Sequence, residues 1–166
     1  RAVSKPLGLL TFALDFAKGL CGVLLLPLLI GRALGAPADG KGLALFCGAL
    51  TVVGHNWTCF LGFKGGKGVA TSAGMLLGLS PAGVGIAFAA WVAVFLASRY
   101  VSLASIAAAA ALAVAVWPLH PVREGLWFPL VLTLLALLAV WKHRANIARL
   151  RAGTEPRFTF KKRTPA

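Results

Sequence analysis

Long apolar runs separated by short polar gaps dominate the chain. Six apolar segments can be drawn, at about residues 7–34, 43–61, 69–80, 82–98, 101–117 and 126–141. A helix needs about 20 residues to cross ~30 Å of hydrocarbon. The pattern therefore predicts an all-α, polytopic integral membrane helix bundle. The 69–80 segment is short for a crossing and reads as a tilted, partly buried or re-entrant helix whose ends are covered by protein. Turn formers mark the breaks: Gly35 through Gly42 with Pro37, the Gly62–Gly68 loop, Ser80-Pro81, and Pro118 through Gly125. Pro27 is expected to kink the first segment. Residues 1–156 form one transmembrane domain in this reading, and 157–166 a basic cytoplasmic tail.

Composition supports the membrane assignment. The 166 residues are 59% hydrophobic, with a mean hydropathy of +0.85, against roughly 45–50% apolar residues in a soluble domain. Seventeen Lys and Arg against four Asp and Glu leave a formal charge of +13. This charge is confined to the gaps between apolar runs and is not interleaved with aromatics on a polar domain, which argues against nucleic acid and for anionic lipid headgroups. If all six segments cross, thirteen basic residues fall on one side, among them Lys64, Lys67, Arg99 and the whole basic C-terminal stretch. Arg32, Lys41 and Arg123 fall on the other, with Lys18 left within a segment. By the positive-inside rule both ends and the basic loops face the cytoplasm. Cys21, Cys47 and Cys59 lie in apolar stretches without CxxC spacing, so neither a disulfide framework nor a zinc site follows. The chain starts at Arg1 without a signal-peptide pattern and is read as lacking its true N-terminus.

The stretch Gly62-Phe63-Lys64-Gly65-Gly66-Lys67-Gly68-Val69-Ala70-Thr71 is the most informative. Glycines around Lys67 let a backbone approach an anion, and the start of the next helix adds unpaired N–H groups and a positive dipole end. The loop is not a Walker A motif, because Leu61 stands five before Gly66 and Gly68 follows Lys67. Phosphate binding and a flexible interfacial turn both fit these residues. At the other end of the chain, Trp141 through Leu150 continues the last segment out of the membrane. On one continuous helix, His143, Asn146 and Arg149 would share a stripe at i, i+3 and i+6. An interfacial anchor with snorkelling cations explains the arginines but not the aligned His and Asn. Asp15 and Lys18, three apart inside the first segment, are expected to pair, or Lys18 faces a polar cavity. Ser102 and Ser105 sit at a tight turn after Arg99, where a serine more often bonds its own i−4 carbonyl than a ligand. His55 reads as a core or interfacial group, and His120 as an outer-loop residue with no role. No HxxxxD dyad, HExxH, GxSxG or carboxylate cluster occurs, so metal-assisted hydrolysis and Ser-His-Asp catalysis are disfavoured.

The strings GHNW at 54–57, FKGGKGVAT at 63–71, RYVSLAS at 99–105 and WKHRANIARLRAGTEPR at 141–157, with DFAKG at 15–19, resemble the bacterial acyl-phosphate:glycerol-3-phosphate acyltransferases, the PlsY family. The resemblance implies seven transmembrane helices with an outside N-terminus. Six apolar segments here would then mean that the first helix, and the Gly-Ser-Gly-Asn signature loop after it, lie upstream of residue 1. It implies transfer of a fatty acyl group from acyl phosphate to the 1-hydroxyl of glycerol 3-phosphate, in phospholipid biosynthesis at the bacterial plasma (inner) membrane. No cofactor or metal is needed, and a soluble phosphate acyltransferase acts upstream. By similarity, Lys67 with Gly65, Gly66 and Gly68 binds the substrate phosphate, and Arg1 helps to hold it. Ser105 shares that site, His143 and Asn146 line the reacting centre, and Glu155 supports the fold or site. An acyl phosphate carries a good leaving group, so orientation and charge neutralisation supply much of the acceleration. A small transporter or channel for an anionic solute is the main alternative. It would need polar residues along successive segments, and 101–117 and 126–141 hold almost none.

Overall fold

A computed structural model describes residues 5–35, 40–120 and 125–159. These form seven helices and no strand among the described residues: α1 (Lys5–Leu34), α2 (Lys41–Asn56), a 3-10 turn (Cys59–Leu61), α3 (Val69–Leu79), α4 (Pro81–Ser98), α5 (Val101–Leu119), α6 (Trp127–Lys142) and α7 (Arg144–Arg151). Most helix boundaries follow the apolar runs, with Gly35, Gly40, Gly68 and Ser80-Pro81 marking the breaks, while α2 stops at Asn56, short of the run to 61. Pro81 starts α4 at a position where a helix has no use for its N–H. Arg99 turns the chain into α5 in the left-handed conformation. Pro27 lies inside α1, which runs on to Leu34.

Helices α1, α4 and α5, and α2 together with the 3-10 turn after it, are each long and apolar enough to span a membrane, and α6 reaches that length only when counted with the bent α7. Six full crossings are therefore not what the helix lengths give. The exception is α3, whose 11 residues reach only about 16 Å. It nevertheless joins the two ends of the bundle. Lys67, just before α3, bonds Asn146 after α6. Ser80, just after α3, bonds His120 at the end of α5. Residues 62–67 of the loop before α3 are exposed, and burial begins only at Gly68, where the loop enters the helix. Large apolar side chains such as Leu9, Leu14, Leu29, Phe88, Val114 and Leu134 stand exposed around the outside, as lipid-facing positions do.

The core runs between α2, α3, α5 and α6, with Leu45, Val52, Met75, Leu76, Leu112, Val116, Phe128 and Leu132 buried. Without a hydrophobic force between helices in lipid, small residues allow close backbone contact. An added Cβ at Gly19 would overlap the Thr71 carbonyl, and one at Gly74 the Phe16 carbonyl. α1 and α3 are thus held backbone to backbone, at the level where the polar site begins. At the opposite end, His120 is no idle loop residue. Its Nε2 lies 2.9 Å from Ser80 Oγ and its ring packs on Phe128 at 4.4 Å, tying together the ends of α3, α5 and α6. The sequence offered no sign of this, because Ser80 and His120 are forty positions apart.

Candidate active site

The chain forms its polar centre at one end of the bundle, where the α2–α3 loop, the start of α5 and the α6–α7 junction meet. The apolar period of α6 gives no warning of a break, yet α6 and α7 are bent by 51° at His143. This corrects the expectation of one straight polar stripe. The bend separates His143 from α7, while Asn146, buried, and Arg149, half-exposed, keep a common face on α7 that meets Glu155. The bend places a basic, interfacial α7 across the bundle end. Lys142 donates to the Asn56 carbonyl at 2.9 Å and lies over the Trp57 ring, and Arg144 lies over Trp141. Such aromatic–cation pairs suit the headgroup level of a bilayer.

Lys67 Nζ donates to Asn146 Oδ1 at 2.6 Å. Asn146 Nδ2 donates to Glu155 Oε1 at 2.7 Å, which also accepts from Ser102 Oγ at 2.6 Å. Arg149 Nε donates to Glu155 Oε2 at 2.7 Å. A lysine can only donate and a carboxylate only accept, so the Asn146 amide has one possible orientation. Glu155 is the hub of the network, with its side chain 7% exposed. Burial raises its pKa, but the hydrogen bonds from Ser102, Asn146 and Arg149 outweigh that and hold it at about 2. Burial also lowers the Lys67 pKa, with the Glu155 carboxylate acting in the other direction. One proton of the Lys67 ammonium is committed to Asn146, which leaves two for an incoming anion. His143 Nδ1 lies 2.8 Å from the Ala139 carbonyl. A carbonyl only accepts, so Nδ1 carries the proton and Nε2 of the neutral ring is an acceptor.

The residues singled out from the sequence do not all meet. Lys67, His143, Asn146 and Glu155 line one cavity of about 710 Å³ together with Ser102, Ser105, Gly66 and Gly68. Ser105 lines it while donating to its own i−4 carbonyl, Val101 O, and accepting from Trp91 Nε1. It is therefore not part of the glutamate network. Ser102 is, and sequence reasoning passed over it although the two hydroxyls stand three apart on the first turn of α5. Arg1 lies outside the described residues. The glycines have a different immediate reason from the one expected. The Gly65 and Gly66 amides donate to the Asn56 and His55 carbonyls at 3.2 Å each, and a Cβ at either would overlap the end of α2. Gly68 is left-handed at φ 76° and faces the Asn56 side chain. Their missing side chains let the loop lie on α2, and Lys67 alone reaches across to α7.

Away from this polar end the cavity is lined by apolar residues of α3 to α6, including Val84, Ala87, Ala108, Leu112, Leu132 and Leu135. Asp15 of α1 also reaches it. As expected, Asp15 pairs with Lys18, at 2.9 Å, and His55 joins them. Among the described residues no group of three His, Cys, Asp or Glu could hold a metal ion.

The family model described as Glycerol-3-phosphate acyltransferase matches residues 1–153. A glycerol-3-phosphate acyltransferase of Desulforudis audaxviator is 46% identical over 164 residues, covering 98% of this chain and 76% of that protein. One of Geobacter sulfurreducens is 43% identical over 95% of this chain and 76% of its own length. Two crystal structures of PlsY, described as an integral membrane glycerol 3-phosphate acyltransferase, superpose with a TM-score of 0.78. The glycerol 3-phosphate form is 36% identical, covering 96% of this chain and 74% of that one. The lysophosphatidic acid form is 37% identical, covering 96% and 76%. Fold, site and relatives together define a multi-pass integral membrane acyltransferase. The chain belongs to the glycerol-3-phosphate acyltransferase family, the PlsY type, which serves phospholipid synthesis.

Proposed function

We propose that the protein transfers a fatty acyl group from acyl phosphate to the 1-hydroxyl of glycerol 3-phosphate, giving lysophosphatidic acid and inorganic phosphate. The observation that carries this reading is the junction of two unlike halves in one cavity. A lysine with two free protons lies beside a neutral histidine acceptor at the polar end, and apolar walls of α3 to α6 extend away from it. A phosphorylated alcohol suits the first and a fatty chain the second. The glycerol 3-phosphate and lysophosphatidic acid named with the PlsY structures fit the same division.

In this mechanism Lys67 neutralises the phosphate, aided by Arg1, while Gly65, Gly66 and Gly68 hold the loop that carries it. Nε2 of His143 accepts the hydrogen bond of the 1-hydroxyl and orients its oxygen towards the acyl carbonyl. The new ester C–O bond forms as the C–O bond to phosphate breaks. The hydroxyl proton passes to His143 or to a phosphate oxygen, and the departing phosphate can carry it away. Asn146 has one Nδ2 proton left for the developing oxyanion, and Glu155 keeps that amide in place. Ser105 lines the way from the polar end to the chain. No step calls for a metal or an organic cofactor. Because an acyl phosphate hydrolyses readily, a soluble phosphate acyltransferase supplies it at the membrane surface.

The basic loops favour a cytoplasmic site in the bacterial plasma membrane. The reaction is tested by phosphate release from palmitoyl phosphate in proteoliposomes, with lysophosphatidic acid identified by mass spectrometry. Release must depend on glycerol 3-phosphate, and lysophosphatidic acid must not form when an acyl thioester, which liberates a thiol and not phosphate, replaces the acyl phosphate. Equal use of the thioester, or solute flux without product, would refute the reading.

A further inference from the structure

The Gly62–Gly68 loop rests on the end of α2 through two backbone hydrogen bonds of 3.2 Å, and its third support is a side chain. The His55 imidazole lies against Gly66. The three atoms that an added Cβ there would meet are Nε2, Cε1 and Cδ2 of that ring. On its other side the ring is clamped from α1. Nδ1 is 3.0 Å from Lys18 Nζ and 3.3 Å from Asp15 Oδ1, and Lys18 and Asp15 are bonded to each other at 2.9 Å.

We propose that His55, held by Asp15 and Lys18, is a positioning residue that fixes the height of the Gly65–Gly68 backbone and thereby the place where Lys67 presents its ammonium group. This rests on the phosphate role proposed for Lys67. Consecutive glycines give that backbone the widest conformational freedom in the chain, and two long hydrogen bonds at a helix end restrain it only along their own direction. A flat ring packed against the Gly66 Cα closes the remaining one. The clamp also accounts for two charged residues in a membrane helix. Asp15 and Lys18 would each be costly there without a partner, and a lone i, i+3 ion pair would need no histidine from α2. Asp15 and His55 both line the cavity, so the ring stands between α1 and the loop at the polar end. It does not touch the Lys67–Asn146–Glu155 network, and its effect on the reaction passes through the loop.

Three single variants, one double variant and one physical readout test the idea. His55→Ala is expected to raise the KM for glycerol 3-phosphate about tenfold with kcat changed less than about threefold, the pattern of lost uniform binding. His55→Gln, which keeps a planar polar group against Gly66, restores most of it. Gly66→Ala alone drives a methyl into the ring and impairs the protein. In combination with His55→Ala the methyl fills the vacated space, so the double variant is at least about fivefold better than Gly66→Ala, a coupling that only direct contact produces. Hydrogen–deuterium exchange of the intact protein is expected to accelerate at residues 62–68 in His55→Ala and not elsewhere. Additive losses in the double variant with unchanged exchange in the loop would overturn the proposal. The exchange measurement also separates the two ideas. A wild-type protein without glycerol 3-phosphate-dependent turnover contradicts the proposed reaction, while exchange in the loop still reports whether His55 holds it.

Discussion

Removal of the Glu155 carboxylate is the most informative perturbation of the site. Three donors converge on it: Ser102 at 2.6 Å, Asn146 at 2.7 Å and Arg149 at 2.7 Å. In Glu155→Gln the amide oxygen still accepts from Ser102 and Asn146, but an NH₂ group now faces the Arg149 guanidinium. The Arg149 side chain is 44% exposed, so solvent screens that loss and it costs about 1 kcal/mol. In Glu155→Ala the buried Asn146 amide and Ser102 hydroxyl both lose their acceptor, at about 1–3 kcal/mol each. The thermal midpoint in detergent then falls on the order of 10 °C. The catalytic effect follows from the chain of contacts. Asn146 is held between Glu155 and Lys67, and a displacement of about 1 Å at a reacting site costs roughly 100-fold. Glycerol 3-phosphate-dependent phosphate release should therefore show kcat/KM down about 100-fold in Glu155→Ala and about tenfold in Glu155→Gln. If Glu155→Ala kept kcat/KM within twofold of wild type while folded, the network would not position the site.

The same carboxylate sets an acid limit. Its folded pKa lies at about 2 against an ordinary 4.5, so its stabilising contribution is full above about pH 4.5 and is lost as pH falls through 2. The difference in thermal midpoint between wild type and Glu155→Gln should accordingly shrink between pH 5 and pH 2 and should not change above it. His143→Ala, which removes the Nε2 acceptor, is expected to lower kcat about 10²–10⁴-fold with little change in the KM for glycerol 3-phosphate, measured by initial rates. Gly74→Ala places a methyl on the Phe16 carbonyl and should destabilise the α1–α3 contact by about 1–3 kcal/mol, read by thermal unfolding in detergent. Arg151→Cys, exposed on α7, should react with an impermeant maleimide from the cytoplasmic side only, and labelling from the outside would reverse the proposed orientation.

Helix positions were legible where an apolar run ends at Gly, Pro or Ser, as at Gly35, Gly40 and Ser80-Pro81, and the α4 and α5 boundaries differ from the expected ones by only one or two residues. The break at His143 was not legible, since neither Gly nor Pro marks it and the bend is set by what α7 covers at the bundle end. Spacing brought His143 and Asn146 to notice, and Lys67 stood out among its glycines. Their meeting across 79 positions is a tertiary fact that no local pattern carries. The glycines were noticed for an anion, whereas the structure first explains them by the carbonyls of His55 and Asn56. Ser102 was missed because a helical serine usually satisfies itself on the preceding turn, as Ser105 does. Glu155 was legible only through family resemblance, because a lone acid in a basic tail gives no local sign that three donors surround it.

The central claim is that Lys67, reaching from the glycine loop to the His143 and Asn146 side of the cavity, receives the phosphate of the acceptor. It is tested most directly by the KM of Lys67→Met for glycerol 3-phosphate at saturating palmitoyl phosphate, with wild type measured alongside. Loss of a charge-assisted contact of about 1.5–3 kcal/mol predicts a rise of roughly 10- to 100-fold. An unchanged KM in a folded, active variant would contradict the account.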